Sequence, residues 1–296
     1  PTYSAPTANE GLSYTGLAQN LIEAGSTAHG IIEYSLEENG TYSTAIPTGT
    51  NAGTYTVWYK VIGDNNHNNV DPQSITAKIE KCEISISDFA ITPKTYTNGD
   101  KTATVTEVIF ANLQNGETLA LGEDFTVAAE FENANAGTRS ATLTVTLSET
   151  AKAKNYTLAK NTLAKKFTIE KAEAPALSNV SKSVTYGDNA QKTASVAEAG
   201  MPTDAGTLKY TKGSTSATNV DWSVGTDGTV TYTISGANAG TVITLPIVIS
   251  STNYKDTKVN VVITITKAAP NLEITNEAAL NRTYDGNFVD AVYTTN

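Results

Sequence analysis

The sequence predicts an all-β chain, a tandem array of antiparallel β-sandwich modules. Three observations predict it. The tetrapeptide NAGT recurs at residues 51–54, 135–138 and 238–241. Apolar residues alternate with mostly Thr and Ser over three stretches of seven or eight residues, the period of a half-buried strand. Composition also favours strands: about one residue in six is Thr, against 14 Tyr and a single Met.

Each NAGT has a matching start and a matching end. A Tyr beside a glycine turn stands at Tyr14-Thr15-Gly16, Tyr96-Thr97-Asn98-Gly99, Tyr186-Gly187-Asp188 and Tyr284-Asp285-Gly286. The ends read ITAKIEK (75–81), FTIEK (167–171) and VITITK (262–267). Their closing lysines, Lys81, Lys171 and Lys267, lie 90 and 96 residues apart, the size of a small sandwich rather than a solenoid repeat. The expected modules are therefore residues 1–82, 83–172 and 173–268, with 269–296 as the opening strands of a fourth.

Within the modules, 141-ATLTVTLS-148 puts Ala141, Leu143, Val145 and Leu147 on one face and hydroxyl residues on the other. The same period runs through 229-TVTYTIS-235 and 259-VNVVITIT-266, and Asn39-Gly40 and Asp227-Gly228 are hairpin signals. In NAGT, the Asn (51, 135, 238) tolerates turn geometry, the Gly (53, 137, 240) supplies a sharp reversal, and the Thr opens a late strand. In the first copy, NAGTYTV resembles the corner before strand F of immunoglobulin domains, with Tyr55 in the tyrosine position. Arg139 and Val242 stand there in the other copies, so a tyrosine corner is expected in the first module alone.

Charge and cysteine content narrow the function classes. The chain carries 30 acidic and 20 basic residues, a net −10, which disfavours nucleic acid and anionic membrane surfaces. Cys82 is the sole cysteine, so no internal disulfide exists and no Cys/His cluster has metal-ligand spacing. It reads as a small buried hydrophobe. No run of about 18 apolar residues suggests membrane insertion. With His29 and His67 as the two histidines and no nucleophile-elbow motif, no catalytic site and no cofactor are expected.

The stretches 12-LSYTG-16, 45-AIPTGTNAGTYTVWYKVIGDNNHNN-69, 112-NLQNGETLALGEDFTV-127 and 283-TYDG-286 resemble the immunoglobulin-like repeats, often labelled YDG or MBG, of large Gram-positive surface proteins. The resemblance covers essentially the whole chain and rests on structural turns. It implies immunoglobulin-like β-sandwich modules in a rod-like array, in an adhesin or stalk at the bacterial cell surface or wall. Short linkers ending in Pro175 and Pro270 fit stacking at roughly 35 Å per module.

Three features are candidate sites. The loop 63-GDNNHNNVD-71 offers oxygen ligands, among them Asp64, Asn66 and Asp71, for calcium; a solvated hairpin turn is the alternative. If Tyr55, Val57 and Tyr59 point inward, Trp58 and Lys60 fall on the outer face, where an aromatic is a recognition anchor unless a loop or neighbouring module covers it. Trp222 lies in a hairpin pattern and reads as a core residue. Module one holds eight acidic and three basic residues, so neutral glycans, mucin or a host protein such as immunoglobulin are better partners than anionic sugars. An inert stalk, or an accessory region of a large secreted carbohydrate-active enzyme, remain the alternatives. The stalk reading predicts bland, Thr-rich outer faces; the adhesin reading predicts one distinctive face.

Overall fold

The computed structural model describes residues 1–270, 272–275, 278, 281, 286, 287 and 290–295. The fourth glycine turn, at Tyr284 and Asp285, lies outside them. Through residue 270 the regular structure is strand, apart from single 3₁₀ turns at Ala153–Asn155 and Ala197–Ala199. The chain forms two compact units. The first comprises Pro1–Lys94, Gly99–Ala134 and Thr138–Ile169; the second comprises Thr95–Asn98, Asn135–Gly137 and Glu170 onward.

In the first unit, Gly53–Ile62 sits between Ile31–Ser35 and Val70–Glu80, antiparallel to both, and Leu12–Ser13 adds to Val70–Glu80 in parallel. The period-two reading holds residue by residue: Val57, Tyr59 and Val61 are buried while Trp58 and Lys60 are half-buried on the opposite face. A second layer joins Cys82–Ile91 to Val105–Ala111 antiparallel and to Tyr156–Leu158 in parallel. Facing it, Phe125–Phe131 pairs with Gly137–Leu147 from Phe125↔Leu147 to Phe131↔Ala141. Ala141, Leu143 and Val145 are fully buried there, as their alternation requires. Phe110 meets Phe125, and Phe89 meets Phe167, in edge-on contacts at 5.0 and 5.2 Å, an arrangement the ring quadrupole favours.

The second unit packs a four-stranded sheet, ordered Val180–Thr185, Thr257–Thr266, Val242–Ser251, Leu208–Lys212, against a three-stranded one, Lys192–Ser195, Thr229–Ile234, Val220–Val224. Its parallel pair, Val180–Thr185 with Val261–Thr266, joins first strand to last. Val259, Val261, Ile263 and Ile265 from one sheet meet Val230, Tyr232 and Ile234 from the other in one buried cluster. Trp222 is buried among them, with the Lys212 ammonium 4.6 Å above its ring and donating to its carbonyl oxygen at 2.8 Å. That is the core tryptophan the sequence predicts.

A late strand follows each of the three corners, but none starts at the expected Thr: the first two open one residue earlier, at Gly53 and Gly137 (Gly53–Ile62, Gly137–Leu147), and the third one residue later, at Val242. Gly137 has φ +113° and Gly240 φ +89°, values that disfavour a side chain. The Tyr55 hydroxyl donates to the Asn51 carbonyl at 2.7 Å, which is the tyrosine corner expected of the first copy.

Candidate functional site

The most developed polar site is a socket that occurs twice, once in each unit. In the first unit, the Asn155 side chain reads the NAGT corner: its Oδ1 accepts from the Ala52 N–H at 2.8 Å and its Nδ2 donates to Asn51 Oδ1 at 3.2 Å. Next to it, Tyr156 packs edge-on against Tyr14 at 5.3 Å. Both phenols donate to one carboxylate, Tyr14 to Glu117 Oε1 and Tyr156 to Glu117 Oε2 at 2.7 Å. Tyr14, Asn155 and Tyr156 are at most 4% exposed. The starting tyrosine is followed by Gly16 because a Cβ there would stand 2.7 Å from the Asn115 Cβ, at φ +75°.

The second unit repeats this arrangement with new residues. Asn253 Oδ1 accepts from the Ala136 N–H at 3.0 Å, and its Nδ2 donates to Asn135 Oδ1 at 3.2 Å. Tyr254 meets Tyr96 edge-on at 5.6 Å, and both phenols donate to Asp204, at 3.1 and 3.0 Å. An Asn-Tyr pair, a carboxylate, a starting tyrosine and an Asn-Ala-Gly corner thus take up the same geometry in two places.

Neutral phenols are strongly favoured in the sockets. Burial first, then the Glu117 carboxylate, raises Tyr14 to about 12 and Tyr156 further still in the same direction. The folded protein therefore holds these protons more tightly than the unfolded chain, whose tyrosines titrate near 10. The stability they contribute is full below about pH 10 and falls as pH rises from there towards 12. A urea midpoint that declines over that window, and declines less in a Tyr14→Phe, Tyr156→Phe double variant, is the expected result.

The site residues read from sequence have mixed placements. Trp58 lies on the outer face with Ser35 and Ser74 as cross-strand partners. Lys60, on the same face, pairs with Glu33 at 3.4 Å and lies 4.5 Å over the Tyr42 ring, so its charge is engaged. In the 63–71 loop, Asp64 gathers two histidines rather than the other expected oxygens. Its carboxylate lies 2.6 Å from His67 Nδ1 and 3.6 Å from His29 Nδ1, and the two rings stack at 4.0 Å. His29, Asp64 and His67 offer ligand atoms within 4.8 Å of one another, a set suited to a borderline transition metal more than to calcium. Asp71 stands outside that group, and Asn66 reaches Asp64 through its backbone N–H at 2.9 Å. Hydrogen bonding from His67 holds the Asp64 carboxyl below its usual range. Cys82 is buried, as expected, and accepts from Gln114 Nε2 at 3.2 Å.

Sequence reasoning found one half of each socket, Tyr14 or Tyr96 with its NAGT corner, and missed the other: Asn155, Tyr156, Glu117, Asn253, Tyr254 and Asp204. A signal was present, since Asn-Tyr occurs at 155–156 and 253–254 and nowhere else. No helix among the described residues is long and apolar enough to cross a membrane.

No family model matches the chain. No curated protein matches it either. Among solved structures, it is similar to the human desmocollin-1 ectodomain (12% identity, 91% of this chain and 63% of that one, TM-score 0.24). It is similar also to the S-layer protein rSbsC (15%, 94% and 42%, 0.23) and to Drosophila N-cadherin EC1-4 (9%, 89% and 76%, 0.30). The chain spans less than two thirds of the first two. Its all-β class rests on its own strands and ladders, which form tandem sandwich modules.

Proposed function

We propose that this chain is a non-catalytic spacer region of an extracellular bacterial surface protein of the YDG/MBG type. The observation that carries the reading is the socket. A hydrogen-bonded turn alone would hold a module corner; here a neighbouring loop reaches in with a buried amide and a phenol, and that phenol and the corner's own starting tyrosine share one carboxylate. Such a joint resists bending, because opening it gives up hydrogen bonds that contribute about 0.5–1.5 kcal/mol each and an aromatic edge contact of similar size. Small-angle scattering tests it: the chain is expected to give one temperature-independent curve from about 5 to 40 °C. Glu117→Ala and Asn155→Ala should each lower the radius of gyration, because a rod whose joint is freed to bend is shorter on average, without loss of strand content by circular dichroism. An unchanged radius in both variants would remove the spacer reading.

A second reading, adhesion, is favoured by one feature. Trp58 stands on an outer face between two serines, unlike the Thr-lined outer face of 141–148, and the first module's acidic balance suits neutral glycans, mucin or a host protein. Immobilised neutral glycans, purified mucin and immunoglobulin G are the probes. Retention by the intact chain that drops at least about tenfold in Trp58→Ala, with stability lowered by less than about 1 kcal/mol, is the expected adhesin result. No retention of any probe leaves the spacer reading alone.

A further inference from the structure

The same corner occurs a third time, and there it is open. Tyr186 is the counterpart of Tyr14 and Tyr96 by its backbone: the N–H groups of Tyr14, Tyr96 and Tyr186 donate to the Glu80, Glu170 and Thr266 carbonyls at 2.9, 2.8 and 2.8 Å, each one residue before a closing lysine. The side chains differ. Tyr14 and Tyr96 are 4% and 6% exposed, whereas Tyr186 is 53% exposed. Ala136 of the second corner is buried, but Ala239 of the third is exposed. Val242, at the position Tyr55 holds in the first copy, is also exposed. Beside Tyr186 lies a cleft of about 230 Å³ walled by Ile234, Gly236, Ala237 and Ile265. At the third corner the Thr241 N–H closes a turn onto the Asn238 carbonyl at 3.1 Å.

We infer that this end of the second unit is a docking socket for a further module of the same kind, one that presents an Asn-Tyr pair on a hairpin and a carboxylate on an adjacent loop. Two filled copies of the socket within this molecule define the occupant. Its asparagine would bridge the Ala239 N–H and the Asn238 side chain, its tyrosine would pack edge-on against Tyr186, and its carboxylate would accept from both phenols. Those are the contacts that Asn155, Tyr156 and Glu117 make in the first unit. Residues 268–296 contain no Asn-Tyr pair, so the key is not supplied by them. Each filled socket buries an aromatic edge contact and satisfies the polar groups it covers. The exposed Tyr186 and Val242 are the apolar surface such a partner would remove from water. The inference deepens the spacer reading, yet is read by tyrosine burial rather than by bending, so the two can fail separately.

The test uses the full chain with residues 172–267 copied directly after Lys267, so that Ala172 of the copy follows Lys267 as it follows Lys171. Tyr186→Phe in the copy makes nitration of Tyr186 report on the original alone. With tetranitromethane and peptide mass spectrometry, the original Tyr186 is expected to react at least about tenfold more slowly than in the unextended chain, approaching Tyr96, since a docked side chain reacts only on opening. Asn253→Ala confined to the copy should restore the reactivity. A second extension, copying residues 82–171 and hence the Asn155, Tyr156 and Glu117 key, should protect Tyr186 likewise. Tyr186 left fully reactive in both extended chains, or protection that survives Asn253→Ala in the copy, would overturn the inference.

Discussion

Glu117→Ala is expected to lower the stability of the first unit by about 2–4 kcal/mol, because it removes the common acceptor of two buried phenols and each stranded hydroxyl costs about 1–2 kcal/mol. The two tyrosines cannot turn to water: Tyr156 is 1% exposed and Tyr14 4%. The milder Glu117→Gln keeps one acceptor oxygen and adds an amide that can donate to a phenol oxygen, so a loss of about 1 kcal/mol is expected there. Urea unfolding in a Trp222→Phe background, where Trp58 is the remaining tryptophan, reports on the first unit. A loss below about 0.5 kcal/mol for Glu117→Ala would mean that the phenols find water or another acceptor. The alkaline decline in stability should also shrink in this variant, since the carboxylate is one of the groups raising both phenols.

Asn253→Ala should destabilise the second unit by a similar amount, about 2–4 kcal/mol, for a different reason. This side chain, 1% exposed, serves three partners at once: it accepts from Ala136 N–H and donates to Asn135 Oδ1 and, at 2.7 Å, to the Asp204 carbonyl. Truncation leaves a buried backbone N–H without that acceptor and opens a small polar hole. Asn253→Asp should be no milder, since it exchanges the two amide donors for a charge beside the Asp204 carboxylate. Trp222 fluorescence in a Trp58→Phe background follows this unit. Replacing the exposed Asn189, a loop asparagine of the same unit, is the control and should change stability by less than about 0.5 kcal/mol. Equal effects of Asn253→Ala and the control would show that the buried amide adds nothing.

Much of the fold was legible because its signals are local. The period of two assigned Val57 and Tyr59 to the core and Trp58 and Lys60 to the outer face without any knowledge of the sheet. The Asn-Ala-Gly-Thr corners announced the late strands because a positive φ is a property of one residue. Trp222 could be assigned to the core because its hairpin was readable. In the 63–71 loop the reading was partial. Asp64 is a focus, but the oxygen-rich spelling drew attention from His29, which comes from another loop and stacks on His67.

The all-β class, the inner face of each long strand, the corner glycines and the repeated starts and ends can all be read from residue order, since each follows from the geometry of a few consecutive residues. What fills the corners cannot. Tyr14 and Glu117 are 103 residues apart, as are Ala52 and Asn155, and a side chain's hydrogen-bond partner at that separation depends on which surfaces the folded backbone brings within about 3 Å. Tyr14, Tyr96 and Tyr186 look alike in the sequence; two are buried and one exposed because burial is conferred by a neighbour, and a strand's own pattern says nothing of whether that neighbour is there.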